Sequence, residues 1–177
     1  MDLFTVPTAT FRVLYVLFVI RHGRRDVARW GVTPNPTASW VVQQLREAFP
    51  FESAPRHLIF DRDAIFAAGV VETLRSMGIE PTRTSYQSPW QNGIAERFVG
   101  TVRRELLDQV IVLGEGHLRQ LLGRYLEYYQ VDRTHLGLEK DSPLGRPVEP
   151  RPSASATVVG FPRVGGLHRR YTWRRAA

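Results

Sequence analysis

The chain has 177 residues, 43% of them hydrophobic, which is enough for one cored domain with a small appendage and excludes a disordered chain. Formal net charge is +7 with a sequence pI near 10.5, and Lys140 is the only lysine, so the basic surface is an arginine surface. Such a balance points to a polyanionic partner, because neutralising phosphates releases counterions. The absence of cysteine excludes disulfides and thiolate metal sites. The longest apolar run, Val13 to Ile20, falls far short of the roughly 20 residues that cross a bilayer. With no signal-peptide pattern at the start, the expectation is a soluble cytoplasmic protein.

Asp2 to Val6 reads as a short strand, Pro7 to Thr10 as a turn, and Phe11 to Arg21 as a long β-rich strand. After a polar turn at 22–25, Asp26 to Val32 alternates and pairs back, giving a three-stranded antiparallel meander. Thr37 caps a helix that runs through Ala48, with Trp40, Val41, Gln44, Leu45 and Ala48 near helical spacing. His57 to Asp61 is a short strand, Ile65 to Met77 a helix closed by Gly78, and Ile79 to Thr84 another strand. Strand, helix, strand at this spacing predicts a right-handed parallel crossover. The sheet is therefore mixed: three antiparallel strands, then two parallel ones, flanked by helices.

Beyond Asn92, the series Ile94, Phe98, Val102, Leu106 and Val110 predicts one long helix, and Glu115 to Tyr129 a second. Past Asp141 the composition shifts to Pro, Ser and Arg. The predicted organisation is a core over 1–140, a linker over 141–157, and a small basic hairpin or tail over 158–177, turning at Gly165-Gly166.

Three acids sit where a regular element meets a turn: Asp2, Asp61 and Glu96. Brought together by the sheet, they would repel one another by several kcal/mol per pair at about 4 Å in a partly buried site. A divalent cation relieves that repulsion, and an all-oxygen set favours Mg²⁺ or Mn²⁺. Two such ions about 3.5–4 Å apart suit phosphodiester chemistry. Taken singly, each acid has a plainer use: a terminal charge, a turn cap, a helix N-terminal charge.

Three strings tie the acids into one pattern: "MDLFTV", "LIFDRDAIF" and "SPWQNGIAERFVGTVRREL". They resemble the catalytic core of the DDE transposases and retroviral integrases, in the branch of bacterial insertion-sequence transposases. "DRTHLGL", from Asp132 to Leu138, resembles a further family feature, and "FPRVGGLHRRYTWR" the ending of this branch. The resemblance spans about residues 1–147. It implies a ribonuclease H-like fold with a five-stranded mixed sheet, and Asp2, Asp61 and Glu96 as catalytic metal ligands for two Mg²⁺ or Mn²⁺ ions. Asp61 has a rival in Asp63. Phe66, five residues after Asp61, and the 34 residues between Asp61 and Glu96 match the family interval, so Asp61 is preferred.

The implied reaction is DNA cleavage at an element's ends followed by strand transfer into target DNA, by a homo-oligomer associated with the bacterial nucleoid. The implied DNA contacts are Gln87, Ser88, Gln91 and Asn92 in the loop before Glu96, then Arg97, Arg103, Arg104, Arg133 and His135. Asn92 also serves as helix cap, and Pro89 and Trp90 stiffen and anchor that loop. Gly100 departs from the pattern, since the family often has a basic residue there. Asp2 stands one residue from the start, and the family's helical DNA-binding region ahead of the core is missing. The expectation is a truncated transposase, whose alternative to enzyme activity is a catalytically weak DNA-binding remnant. A ribonuclease H-like nuclease that cuts without joining is a third reading, against which the glutamate-helix string argues.

Overall fold

The computed structural model describes residues 1–50, 53–66, 68–86 and 88–175, in two compact units, Met1–Arg119 and Gln120–Ala177. In the first unit, β1 (Asp2–Pro7), β2 (Val13–Ile20) and β3 (Val27–Thr33) form the antiparallel meander. Asp2 pairs with Phe18 and Tyr15 with Thr33. The β-branched and aromatic run of β2 suits the middle strand, which is shielded on both faces. The β1–β2 turn is tied by Thr8, whose hydroxyl donates to the Arg12 carbonyl and accepts from its amide.

α1 (Ala38–Ala48) begins as the sequence predicts: Thr37 stands at the cap, and its hydroxyl accepts from Trp40 N. β4 (His57–Phe60) and β5 (Glu80–Arg83) pair in parallel through α2 (Ala68–Ser76). The predicted helix from Ile65 is split. A short 3₁₀ turn, Ala64–Phe66, precedes α2, because Asp63 accepts the Ile65 amide and starts a turn of its own. Gly78 ends this section at φ +74°, a left-handed conformation suited to glycine.

The strands form a three-stranded and a two-stranded sheet rather than one continuous five-stranded sheet. The two meet at the amino terminus, where Met1 N donates to Ile59 O at 2.7 Å.

Alternation along the strands gives the first unit two apolar faces. One gathers Met1, Leu17 and Val19 with Val41 and Leu45 of α1, Leu58 and Phe60 of β4, and Val70 and Leu74 of α2. Phe60 and Phe66 meet edge to face at 5.4 Å inside it. On the other face Phe18 stacks obliquely on Phe98 of α3 (Gly93–Glu105) at 4.5 Å, with Phe4 beside it at 6.1 Å from Phe18. Each such fully buried side chain contributes about 1.5–3 kcal/mol by leaving water. α3 stops short of the predicted end at Val110: Leu106 leaves the helical range at φ −132°, and Leu107–Gln109 makes a 3₁₀ turn. Asp2, Phe4 and Val6 alternate with Met1 and Leu3, which puts Asp2 on the face of β1 that α3 covers.

The second unit opens within α4 (Glu115–Val131) and ends in a hairpin of β6 (Thr157–Arg163) and β7 (His168–Arg174). His168 stacks on Tyr128 at 4.4 Å and nearly parallel. Arg163 donates to Asp132 at 2.6 Å. Glu149 accepts from Thr172, Arg146 and Arg170, which hold its carboxyl down at about 2. The Pro- and Ser-rich stretch before β6 is thus fastened to the hairpin by charge-assisted bonds.

Candidate metal and nucleic-acid site

The three predicted acids come from three elements of the first unit. Asp2 opens β1 and is buried, and its Oδ1 accepts the Leu3 amide at 2.7 Å. Asp61 is the first residue past β4, half-buried, and accepts the Asp63 amide at 3.1 Å. Glu96 stands exposed in the first turn of α3, where the helix dipole favours an anion.

Electrostatics link them. The Asp2 carboxyl is pushed up to about 6, first by burial, then by the negative charges of Asp61 and Glu96. The Leu3 amide and the Met1 ammonium oppose the rise. That ammonium is itself pushed down to about 6 by burial. Asp61, Asp63 and Glu96 line one cleft of about 300 Å³, together with Arg62, Thr84, Ser85, Tyr86 and Ser88. Among the described residues, no three His, Cys, Asp or Glu side chains stand close enough together to hold one metal ion. The chemistry of the donors suits a hard divalent cation, whereas their spacing in this conformation is wider than a ligand shell.

The loop before Glu96 is braced by its own side chains. Gln91 accepts the Ser85 amide at 2.7 Å, and Ser88 Oγ donates to Tyr86 O at 3.2 Å. Gln87 lies outside the described residues. Asn92 differs from expectation. It occupies the cap position of α3 without a capping bond, is only 2% exposed, and donates its amide to Met1 O at 3.2 Å. It is a structural link to the start of β1, buried away from any DNA. Trp90 differs too: it is 72% exposed and anchors nothing in the core.

The basic residues divide by burial. Arg97 and Arg104 are exposed on α3. The Arg104 guanidinium lies over Gly100, with Nη1 3.0 Å from where a Cβ would stand. Arg103 leans on β1, donating to Thr5 O at 3.2 Å with its guanidinium over the Phe4 ring. In the second unit, Arg133 lies over the Tyr129 ring, and His135 is 6% exposed and packs edge-on against the same ring. Burial turns His135 to packing rather than phosphate contact.

Two cleft residues escaped the sequence reading. Arg62 donates to Thr84 O at 3.0 Å and sets a cation beside Asp61, and Tyr86 is 75% exposed at the cleft edge. The string "DRD" held the signal for Arg62, since a cation between two acids offsets their charge.

Comparison with known proteins agrees with this architecture. Residues 77–143 match the model of the integrase core domain family. The transposase InsD of insertion element IS2A/D/F/H/I/K from Escherichia coli is 30% identical over 102 residues, 53% of this chain and 34% of the relative. The chain thus spans about a third of that relative's length. Among solved structures, the simian T-cell lymphotropic virus intasome in complex with PP2A regulatory subunit B56 gamma aligns with a TM-score of 0.62 at 16% identity, covering 98% of this chain and 65% of that one. The HTLV-2 integrase catalytic core domain in complex with magnesium, in its trimeric form, aligns with a TM-score of 0.59 at 14% identity, covering 78% of this chain and 89% of that one. The fold is the ribonuclease H-like α/β fold of those cores. Residues 77–143 are thus similar to an integrase core, about half of the chain is similar to an insertion-sequence transposase, and the fold is similar to that of retroviral integrase cores.

Proposed function

We propose that the first unit catalyses divalent-metal-dependent DNA strand cleavage and strand transfer, with Asp2, Asp61 and Glu96 as the metal ligands. The observation that carries this reading is the shared field at Asp2. A buried carboxyl feels both Asp61 and Glu96, and two of the three acids face one cleft. Asp61 is preferred to Asp63 as the second ligand by its intervals to Phe66 and Glu96. When bound, Mg²⁺ or Mn²⁺ ions supply a water activated at neutral pH and stabilise the leaving oxygen. The chain's own residues hold the site. Met1 N on Ile59 O and Asn92 on Met1 O fix the start of β1, and the Gln91–Ser85 bond fixes the loop ahead of α3. Arg97 and Arg104 are exposed for phosphate contact, and Arg104 covers the place that Gly100 leaves open. The working form is a homo-oligomer on DNA ends and target DNA in the bacterial nucleoid.

The test is nicking of a branched DNA substrate with Mn²⁺. Wild type is expected to cleave, and Glu96→Gln to lose at least a hundredfold in rate while keeping its thermal midpoint. Equal cleavage by both sinks the assignment of Glu96. The wide spacing of the acids favours a second reading, a DNA-binding core with weak catalysis. Binding without metal-dependent cleavage selects it.

A further inference from the structure

The parallel pair of β4 and β5 has an open edge. Glu80 N donates to Arg56 O at 2.9 Å and Thr84 N to Phe60 O at 3.0 Å. Residues two apart along a strand turn their backbone the same way, so Glu80, Thr82 and Thr84 face β4 while Pro81 and Arg83 face outward. β4 and β5 make a two-stranded sheet, so among the described residues no strand pairs on that outer side. Pro81 has no N–H to give a ladder, and an edge is where a strand tolerates it. The outward groups are therefore Pro81 O, Arg83 N and Arg83 O: a donor between two acceptors.

The side chains beside that edge form a groove. Register puts Pro81 opposite Leu58 and Arg83 opposite Phe60, on the face of the sheet whose core includes Val70 and Leu74 of α2. Between the flank of α2 and β5 lies a groove of about 400 Å³, lined by Ala68, Val71, Arg75, Pro81 and Arg83. Arg83 donates to Phe66 O and sets its guanidinium 5.8 Å from the centre of the Phe60 ring. Arg75 and Arg83 are both exposed, and neither makes an ion pair among the described residues. The acids nearest in sequence, Glu72 and Glu80, do not line the groove.

We propose that the outer edge of β5, with this groove, is a docking site for an extended acidic peptide of a partner protein, which adds to the sheet as a third strand. The backbone pattern selects a peptide, because a strand offers the alternating N–H and C=O that Pro81 O, Arg83 N and Arg83 O require. A phosphate chain offers acceptors alone and would leave both carbonyls unmet. Charge selects an acidic strand: every second side chain points towards α2, where Arg75 and Arg83 wait at the walls and Ala68 and Val71 take the methylenes. The site needs neither a metal ion nor DNA, so it stands apart from the metal-site reading.

The experiment titrates the ¹⁵N-labelled full chain in EDTA with an acetylated, amidated octapeptide that alternates glutamate and threonine. Saturable shifts are expected at the Arg83 amide and along α2, with exchange of the Arg83 amide slowed at least tenfold at saturation. The same peptide N-methylated at alternate residues keeps its charge and loses its ladder donors, and is expected to bind at least tenfold more weakly. Arg75→Ala is expected to weaken the peptide about fivefold, the share of one exposed ion pair, with the thermal midpoint unchanged, and Arg75→Lys to restore most of it. Equal binding of the N-methylated peptide, or unchanged Arg83 exchange at saturation, overturns the proposal. So does a DNA duplex that displaces the peptide and shifts the same amides. Glu96→Gln is expected to bind the peptide as wild type does, so failure of the metal-site reading and failure of this one are seen separately.

Discussion

Replacing Asp2 with asparagine tests the electrostatics of the site directly. The Asp2 carboxyl is raised from 3.8 to about 6 in the folded chain. A tenfold change in proton affinity is worth about 1.4 kcal/mol, so a rise of this size, roughly a hundredfold, corresponds to about 3 kcal/mol. The raised group binds its proton more tightly when folded. Its contribution to stability is therefore fully present below pH 3.8 and is lost as pH rises through about 6. The Met1 ammonium runs the other way. Its pKa falls from 8.0 to about 6, so its contribution is present above pH 8 and is lost as pH falls through about 6. The two together predict a stability minimum near pH 6 for a chain with a free Met1 amine. The assay is urea unfolding followed by tryptophan fluorescence from pH 4 to 9, in EDTA. The difference between wild type and Asp2→Asn isolates the acid limb. Asp2→Asn is expected to be flat from pH 4 to 6 and more stable than wild type at pH 7 by up to about 3 kcal/mol. Acetylating Met1 is expected to flatten the alkaline limb alone. Parallel curves for wild type and Asp2→Asn between pH 4 and 6 would refute the buried, mutually repelled carboxyl.

Magnesium at a hundred times its dissociation constant is expected to stabilise wild type at pH 7.5 by about 2.7 kcal/mol and Glu96→Gln by much less, read as a shift in urea midpoint. Phe60→Ala removes a fully buried ring that meets Phe66 at 5.4 Å, and is expected to cost about 3–5 kcal/mol in the same unfolding assay. Asn92→Ala leaves Met1 O without its donor, so a loss of about 1–3 kcal/mol is expected, with no change in DNA affinity at temperatures where the variant stays folded. Gly100→Ala meets only the far end of Arg104, which can swing aside. It is expected to stabilise α3 by up to about 1 kcal/mol, and a loss of stability would show the Arg104 position to be rigid.

The elements were legible where one physical signal dominated. The β-branched run of β2 and the hydroxyl of Thr37 specified a strand and a helix start on local grounds, and both are observed. The boundaries that moved were set by tertiary choices. Asp63 captured the Ile65 amide and split the predicted helix, and Leu106 buried itself at a non-helical φ and ended α3 early. The single five-stranded sheet was read from strand order, which is a statement about neighbours. Order alone does not specify a ladder: Met1 N bonds Ile59 O, while β1 and β4 stand in separate sheets.

Charges are marked more sharply in a sequence than amides: Asp61 and Glu96, singled out where an element meets a turn, line one cleft, with Asp63 beside them. Amides carry no such contrast. Asn92 has the composition of either a helix cap or a DNA contact, and the fold uses it for neither, directing its donor to the carbonyl of Met1. The residue before Asp2 is held through its nitrogen by Ile59 and through its carbonyl by Asn92. Asn92 stands four residues ahead of Glu96, at the head of the same helix. The helix that presents the third acid therefore also positions the strand that presents the first. Loosening Asn92 is expected to lower metal affinity through Asp2 even though Glu96 itself is untouched.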